Sequence, residues 1–109
     1  MIREVEQNRL ALGELCRRYQ VRQLLLFGSA ATGAFVPATS DLDFVADFAD
    51  THAADYADRY FDFAEALERL FNRSVDVLTQ RAIRNPYFQA EVERTAQVIY
   101  EDHAQKTSA

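Results

Sequence analysis

At 109 residues with a formal net charge of −5, the chain is sized for one domain around a single hydrophobic core. Its composition, 49% hydrophobic and 27% charged with few Gly and Pro, is globular and excludes a low-complexity or disordered class. The acidic balance argues against nucleic acid as a direct partner, because phosphate backbones are bound by clustered Lys and Arg, and the single cysteine, Cys16, excludes a disulfide framework.

Residues 2–19 read as an amphipathic helix, with Ile2, Val5, Leu12, Leu15, Cys16 and Tyr19 near one face and Gly13 inside it. This opening is charged and unlike a signal peptide, and no apolar run approaches transmembrane length, so a soluble cytoplasmic protein without membrane contact is expected. Leu24, Leu25, Leu26 and Phe27 form an unbroken apolar run, as in a strand covered on both faces. A Gly28-Ser29 turn follows, then a loop with Gly33 and Pro37, then a second strand over residues 41–48. Thr51 is placed to cap a long helix over residues 51–71, striped with Tyr56, Tyr60, Phe63, Ala64, Leu67 and Phe71, and Asn72 to stop it. Residues 74–79 make a third strand. Asn85 and Pro86 then start a last helix that runs to about residue 101, ahead of a frayed tail at 103–109. The expected fold is α+β, a small mixed sheet flanked by helices in the order α-β-(α)-β-α-β-α, with residues 1–102 as one domain.

The stretch 24–48 has the parts needed to hold a nucleoside triphosphate. Gly28 lets backbone approach a ligand closely, and Ser29 stands where amides and a hydroxyl can meet phosphate oxygens. Asp41 and Asp43 are two apart, so on a strand both carboxylates point the same way. Such a pair repels itself unless a cation intervenes or one member is protonated, and Mg²⁺ is the natural hard occupant. Asp76 lies in an otherwise apolar strand segment. Alone, it suits a half-exposed strand facing solvent equally well; beside Asp41 and Asp43 it would complete a cluster able to surround two metal ions, as two-metal phosphoryl transfer requires. His52, His103, Arg81 and Arg84 read as surface groups. Lys106 is the sole lysine and lies in the tail, which rules out a Gly-Lys-Ser/Thr phosphate loop.

The Gly28-Ser29 turn, the delayed Asp41-Leu42-Asp43 and the later Asp76 together resemble the polymerase-β-type nucleotidyltransferase superfamily. The small size is similar to its minimal nucleotidyltransferases, often paired with a HEPN-domain toxin as antitoxins of the MntA kind. The likeness spans Leu24 through Asn85-Pro86-Tyr87 to Val98-Ile99-Tyr100. Eleven residues separate Ser29 from Asp41, one more than the family's usual ten, and Ala30 stands where many relatives carry arginine. The resemblance implies that Gly28 and Ser29 contact the triphosphate. It implies that Asp41 and Asp43 bind two Mg²⁺ ions, and that Asp76 completes the metal site at the acceptor hydroxyl and helps deprotonate it. The implied activity is transfer of AMP from ATP to a hydroxyl, a tyrosine of a HEPN RNase toxin held in a hetero-oligomer. A rival reading is a non-catalytic antitoxin that neutralises the same partner by direct binding. Small-molecule nucleotidylation ranks below both, since it usually needs an additional substrate-binding domain.

Overall fold

The computed structural model describes residues 3–28, 31, 42–79 and 85–102. Two short helices, α1 (Arg3–Gln7) and α2 (Arg9–Arg18), lead into strand β1 (Val21–Phe27). Then come β2 (Leu42–Phe48), helix α3 (Tyr56–Phe71), β3 (Val75–Thr79), helix α4 (Pro86–Thr95) and β4 (Gln97–Glu101). The strands form one sheet in the order β3-β2-β1-β4. β1 runs antiparallel to both of its neighbours, whereas β2 and β3 are parallel and joined by the α3 crossover. The small mixed sheet flanked by helices is therefore the architecture the sequence predicts.

β1 is covered on both faces, which explains its unbroken apolar run. On one face Leu42, Phe44, Ala46 and Phe48 of β2 are buried among Leu12 and Cys16 of α2 and Phe63, Leu67 and Phe71 of α3. Phe48 meets Phe63 edge-on at 5.7 Å between ring centroids, and Phe44 stacks on Phe71 at 6.1 Å. On the other face Val92 of α4 packs with Phe27 and Val45 in a smaller cluster. Period-2 alternation along β2 thus divides Leu42 and Phe44 from Asp43 and Val45.

Three expected boundaries move. The first helix breaks at Asn8, whose Nδ2 donates to the Glu4 carbonyl at 2.8 Å, while Gly13 stays inside α2. Thr51 does not cap α3, which begins at Tyr56. Asp50 takes a left-handed φ of 49°, and the intervening residues close turns through Ala53 N–H to Asp50 O (3.0 Å) and Tyr56 N–H to Ala53 O (3.1 Å). Asn72 does end α3 in the left-handed conformation. Finally, Asn85 caps α4 as expected, accepting from the Tyr87 N–H at 2.9 Å, but that helix stops at Thr95 and not near residue 101. Ala96 is extended, and Gln97–Glu101 pairs with β1, Tyr100 opposite Leu24 and Gln97 opposite Leu26. Val98, Ile99 and Tyr100 favour a strand, and β1 would otherwise leave a row of backbone groups without ladder partners. The tail at 103–109 lies outside the described residues. No helix among the described residues is long and apolar enough to cross a membrane.

Candidate active site

Gly28 closes β1 with φ of +74°, a conformation that L side chains rarely adopt. A β-carbon there would stand 2.9 Å from Oδ2 of Asp43, so the turn and the carboxylate occupy adjoining space. Helix α4 holds this turn from the other side. The Gly28 N–H donates to Thr95 Oγ1 at 3.3 Å, and the buried Thr95 hydroxyl donates onward to the Glu91 carbonyl at 2.9 Å. The Gly28 carbonyl accepts from the Ala31 N–H at 3.1 Å, and Gln97 Nε2 donates to the Ala31 carbonyl at 3.2 Å. Neither Thr95 nor Gln97 carries a sequence signal of this duty, since each acts through tertiary contact.

Asp43 is opposite Phe27 on β1 and, across the parallel pair, opposite Asp76 on β3. Partners in register on neighbouring strands share a face and lie about 4.8 Å apart along the ladder. Val75 and Val77 turn into the main core, so Asp76 projects to the other side with Asp43; Asp76 is exposed and Asp43 half-buried. The structure thus brings together Gly28, Asp43 and Asp76. Ser29 and Asp41 lie outside the described residues. Among the described residues no group of three or more His, Cys, Asp or Glu side chains could hold a metal ion. The donor set of two adjacent carboxylates does fit a hard divalent cation, whose charge would relieve their repulsion.

Asp43 and Asp76 open on a cavity of about 580 Å³, lined also by Tyr60 and Phe61 of α3. The Tyr60 hydroxyl donates to the Val77 carbonyl. Burial above all, then the nearby Tyr56 and the Asp76 carboxylate, push the Tyr60 phenol above its ordinary pKa, so it stays a neutral donor. Sequence reading takes Arg59 only as part of a helix, yet it is buried and ties the surroundings together. Its guanidinium donates to the carbonyls of Ala49 (3.0 Å), Asp50 (2.8 Å) and Tyr19 (3.4 Å) and to Asp55 Oδ1 (3.2 Å).

A glycine turn at the head of one strand, with carboxylates in register on the next two, suits a reaction at a nucleotide phosphate. Residues 9–99 match the model of the nucleotidyltransferase domain. The chain belongs to that family. A Methanocaldococcus jannaschii protein described as a protein adenylyltransferase is 32% identical to this nucleotidyltransferase-domain chain over 76 residues, covering 70% of it and 74% of the relative. A solved structure described as a minimal nucleotidyltransferase superposes with a TM-score of 0.69 at 28% identity, over 84% of this chain and 89% of that one. A complex of a tri-AMPylated HEPN toxin with an MNT antitoxin, from Shewanella oneidensis, matches at 17% identity with a TM-score of 0.62, over 94% and 77% of the two chains. That last likeness is one of fold.

Proposed function

We propose that this nucleotidyltransferase domain transfers AMP from ATP to a hydroxyl, a tyrosine of a HEPN-domain toxin, and so acts as the toxin's antitoxin in the cytoplasm. The observation that carries the reading is the in-register pair Asp43–Asp76 beside the Gly28 turn. The descriptions of the relatives as protein adenylyltransferase and as MNT antitoxin of an AMPylated HEPN toxin supply the acceptor class. Residues 1–102 form the catalytic unit in this reading, with 103–109 as a tail.

Gly28 and Ser29 hold the triphosphate, the glycine by allowing close backbone approach. Asp41, Asp43 and Asp76 would hold two Mg²⁺ ions, which when bound neutralise the triphosphate and lower the pKa of the acceptor hydroxyl. The acceptor oxygen forms a bond to the α-phosphorus, the bond from that phosphorus to the oxygen bridging to the β-phosphate breaks, and pyrophosphate leaves. Asp76, exposed at the cavity mouth, receives the hydroxyl proton. Positioning and charge supply most of the acceleration in such a transfer.

Intact-mass measurement of a HEPN toxin after incubation with this protein, ATP and Mg²⁺ tests the reading. A gain of whole AMP units that disappears with Asp43→Ala supports it. A stable, inhibited complex without mass gain, equally firm with the aspartates replaced, overturns it in favour of neutralisation by contact.

A further inference from the structure

Phe61 of α3 is 68% exposed, although most large apolar side chains of that helix are buried or half-buried. Its ring meets Tyr60 edge-on at 5.3 Å between centroids, so it has a fixed neighbour and an open face. Two cavities adjoin at this point. One, of about 580 Å³, holds Asp43 and Asp76; the other, of about 310 Å³, extends past Tyr56 and Ala57 to Thr79. Tyr60, Phe61, Val77 and Leu78 line both, so an aromatic and aliphatic trough runs from the carboxylates along β3, an outer strand of the sheet among the described residues.

The backbone restricts what can lie there. Leu42 N–H donates to the Ser74 carbonyl at 3.4 Å, which turns the even-numbered residues of this segment toward β2 and the odd-numbered ones outward. The outward carbonyl of Val77 is engaged by the Tyr60 hydroxyl. A further strand on β3 would have to share the Val77 carbonyl with Tyr60, which disfavours pairing there and favours an occupant that enters by its side chains.

We infer that the trough seats an apolar side chain close in sequence to the acceptor hydroxyl of the partner polypeptide, with Phe61 as the principal contact. This rests on the adenylyl-transfer reading. An acceptor oxygen must come within about 3–3.5 Å of the phosphorus it attacks, so the residues flanking it fall on the surface that continues from Asp76. That surface is aromatic and aliphatic, and the chain's net charge of −5 disfavours a phosphate-rich acceptor. A polypeptide with an aromatic or aliphatic residue beside its tyrosine fits both properties. A large exposed aromatic at such a contact is the usual anchor of a protein interface.

The test measures AMP transfer to a HEPN toxin by Phe61→Ala and Phe61→Leu, with ATP affinity followed separately. Expected is a rise of about tenfold or more in the KM for the toxin with Phe61→Ala, partial recovery with Phe61→Leu, and unchanged ATP affinity. A wild-type KM for the toxin in Phe61→Ala overturns the inference. If the unaltered protein transfers no AMP, the transfer reading falls by itself, and calorimetric affinity for the toxin decides the surface. Weakening of about tenfold by Phe61→Ala then sustains the docking trough, and an unchanged affinity overturns it.

Discussion

Gly28 and Asp43 share a boundary with no room for one more carbon: a β-carbon on the glycine would come within 2.9 Å of the aspartate's Oδ2. Gly28→Ala therefore meets two penalties, the left-handed φ of +74° and the displacement of Asp43. The first alone is worth about 1–2 kcal/mol. Thermal unfolding should show that loss, while AMP transfer should fall much further than stability because the carboxylate is pushed from its place. A variant that is destabilised yet fully active would contradict this account of the turn.

Neutralising either carboxylate of the in-register pair should separate fold from function. Asp43→Asn and Asp76→Asn each remove one charge of the in-register pair without changing shape, and Asp76→Asn, at an exposed position, should be at least as stable as the parent when metal is absent. Transfer should drop on the order of a hundredfold or more. Mg²⁺ should raise the melting temperature of the parent by a few degrees, roughly as ligand linkage requires, and this shift should vanish in both variants and after chelation. Differential scanning calorimetry with and without Mg²⁺ reads both effects.

Arg59→Met should unfold most readily of the substitutions named here. The change strips donors from the carbonyls of Tyr19, Ala49 and Asp50 at a buried site. Leaving such groups without partners costs about 2–4 kcal/mol in total, allowing for partial relaxation. Arg59→Lys should recover little, since an ammonium cannot span the same fork. Urea denaturation midpoints, compared at unchanged slope, measure the loss.

Cys16 should be inert in the folded protein at mildly alkaline pH. Burial pushes its thiol up to about 12 from 9.0, slightly offset by Arg17. Because the folded state holds the proton more tightly than the unfolded one, this group's stabilising share is complete below pH 9 and diminishes as pH rises toward 12. Alkylation by iodoacetamide at pH 8.5 should consequently track global unfolding and accelerate sharply in denaturant; fast labelling of native protein would refute the burial argument.

Much of this arrangement is legible in the residues themselves. The apolar run ending at Phe27, the alternation after Asp41 and the aromatic stripe from Tyr56 to Phe71 each follow from one local period, and Asn72 and Asn85 mark helix ends by side-chain chemistry. The convergence of Asp43 with Asp76 follows once the two strands are placed side by side. What escapes local reading depends on distant partners. Gln97–Glu101 continues a helical pattern until β1 offers it a ladder, and the start of α3 is delayed by the left-handed Asp50. Arg59 and Thr95 look like ordinary helix residues because their acceptors and donors come from other segments, Tyr19 and Gly28 among them.

The pairing of β4 with β1 has a consequence for biosynthesis. β1 lies inside the sheet only after residues 97–101 have left the ribosome, and Thr95, which receives the Gly28 amide, emerges just before them. Until then the nascent chain has β1 and β2 but neither β4 nor the anchor of the glycine turn. The Gly28 turn is thus anchored only once residues 95–101 have been made, so a growing chain cannot complete it before its own sheet is closed.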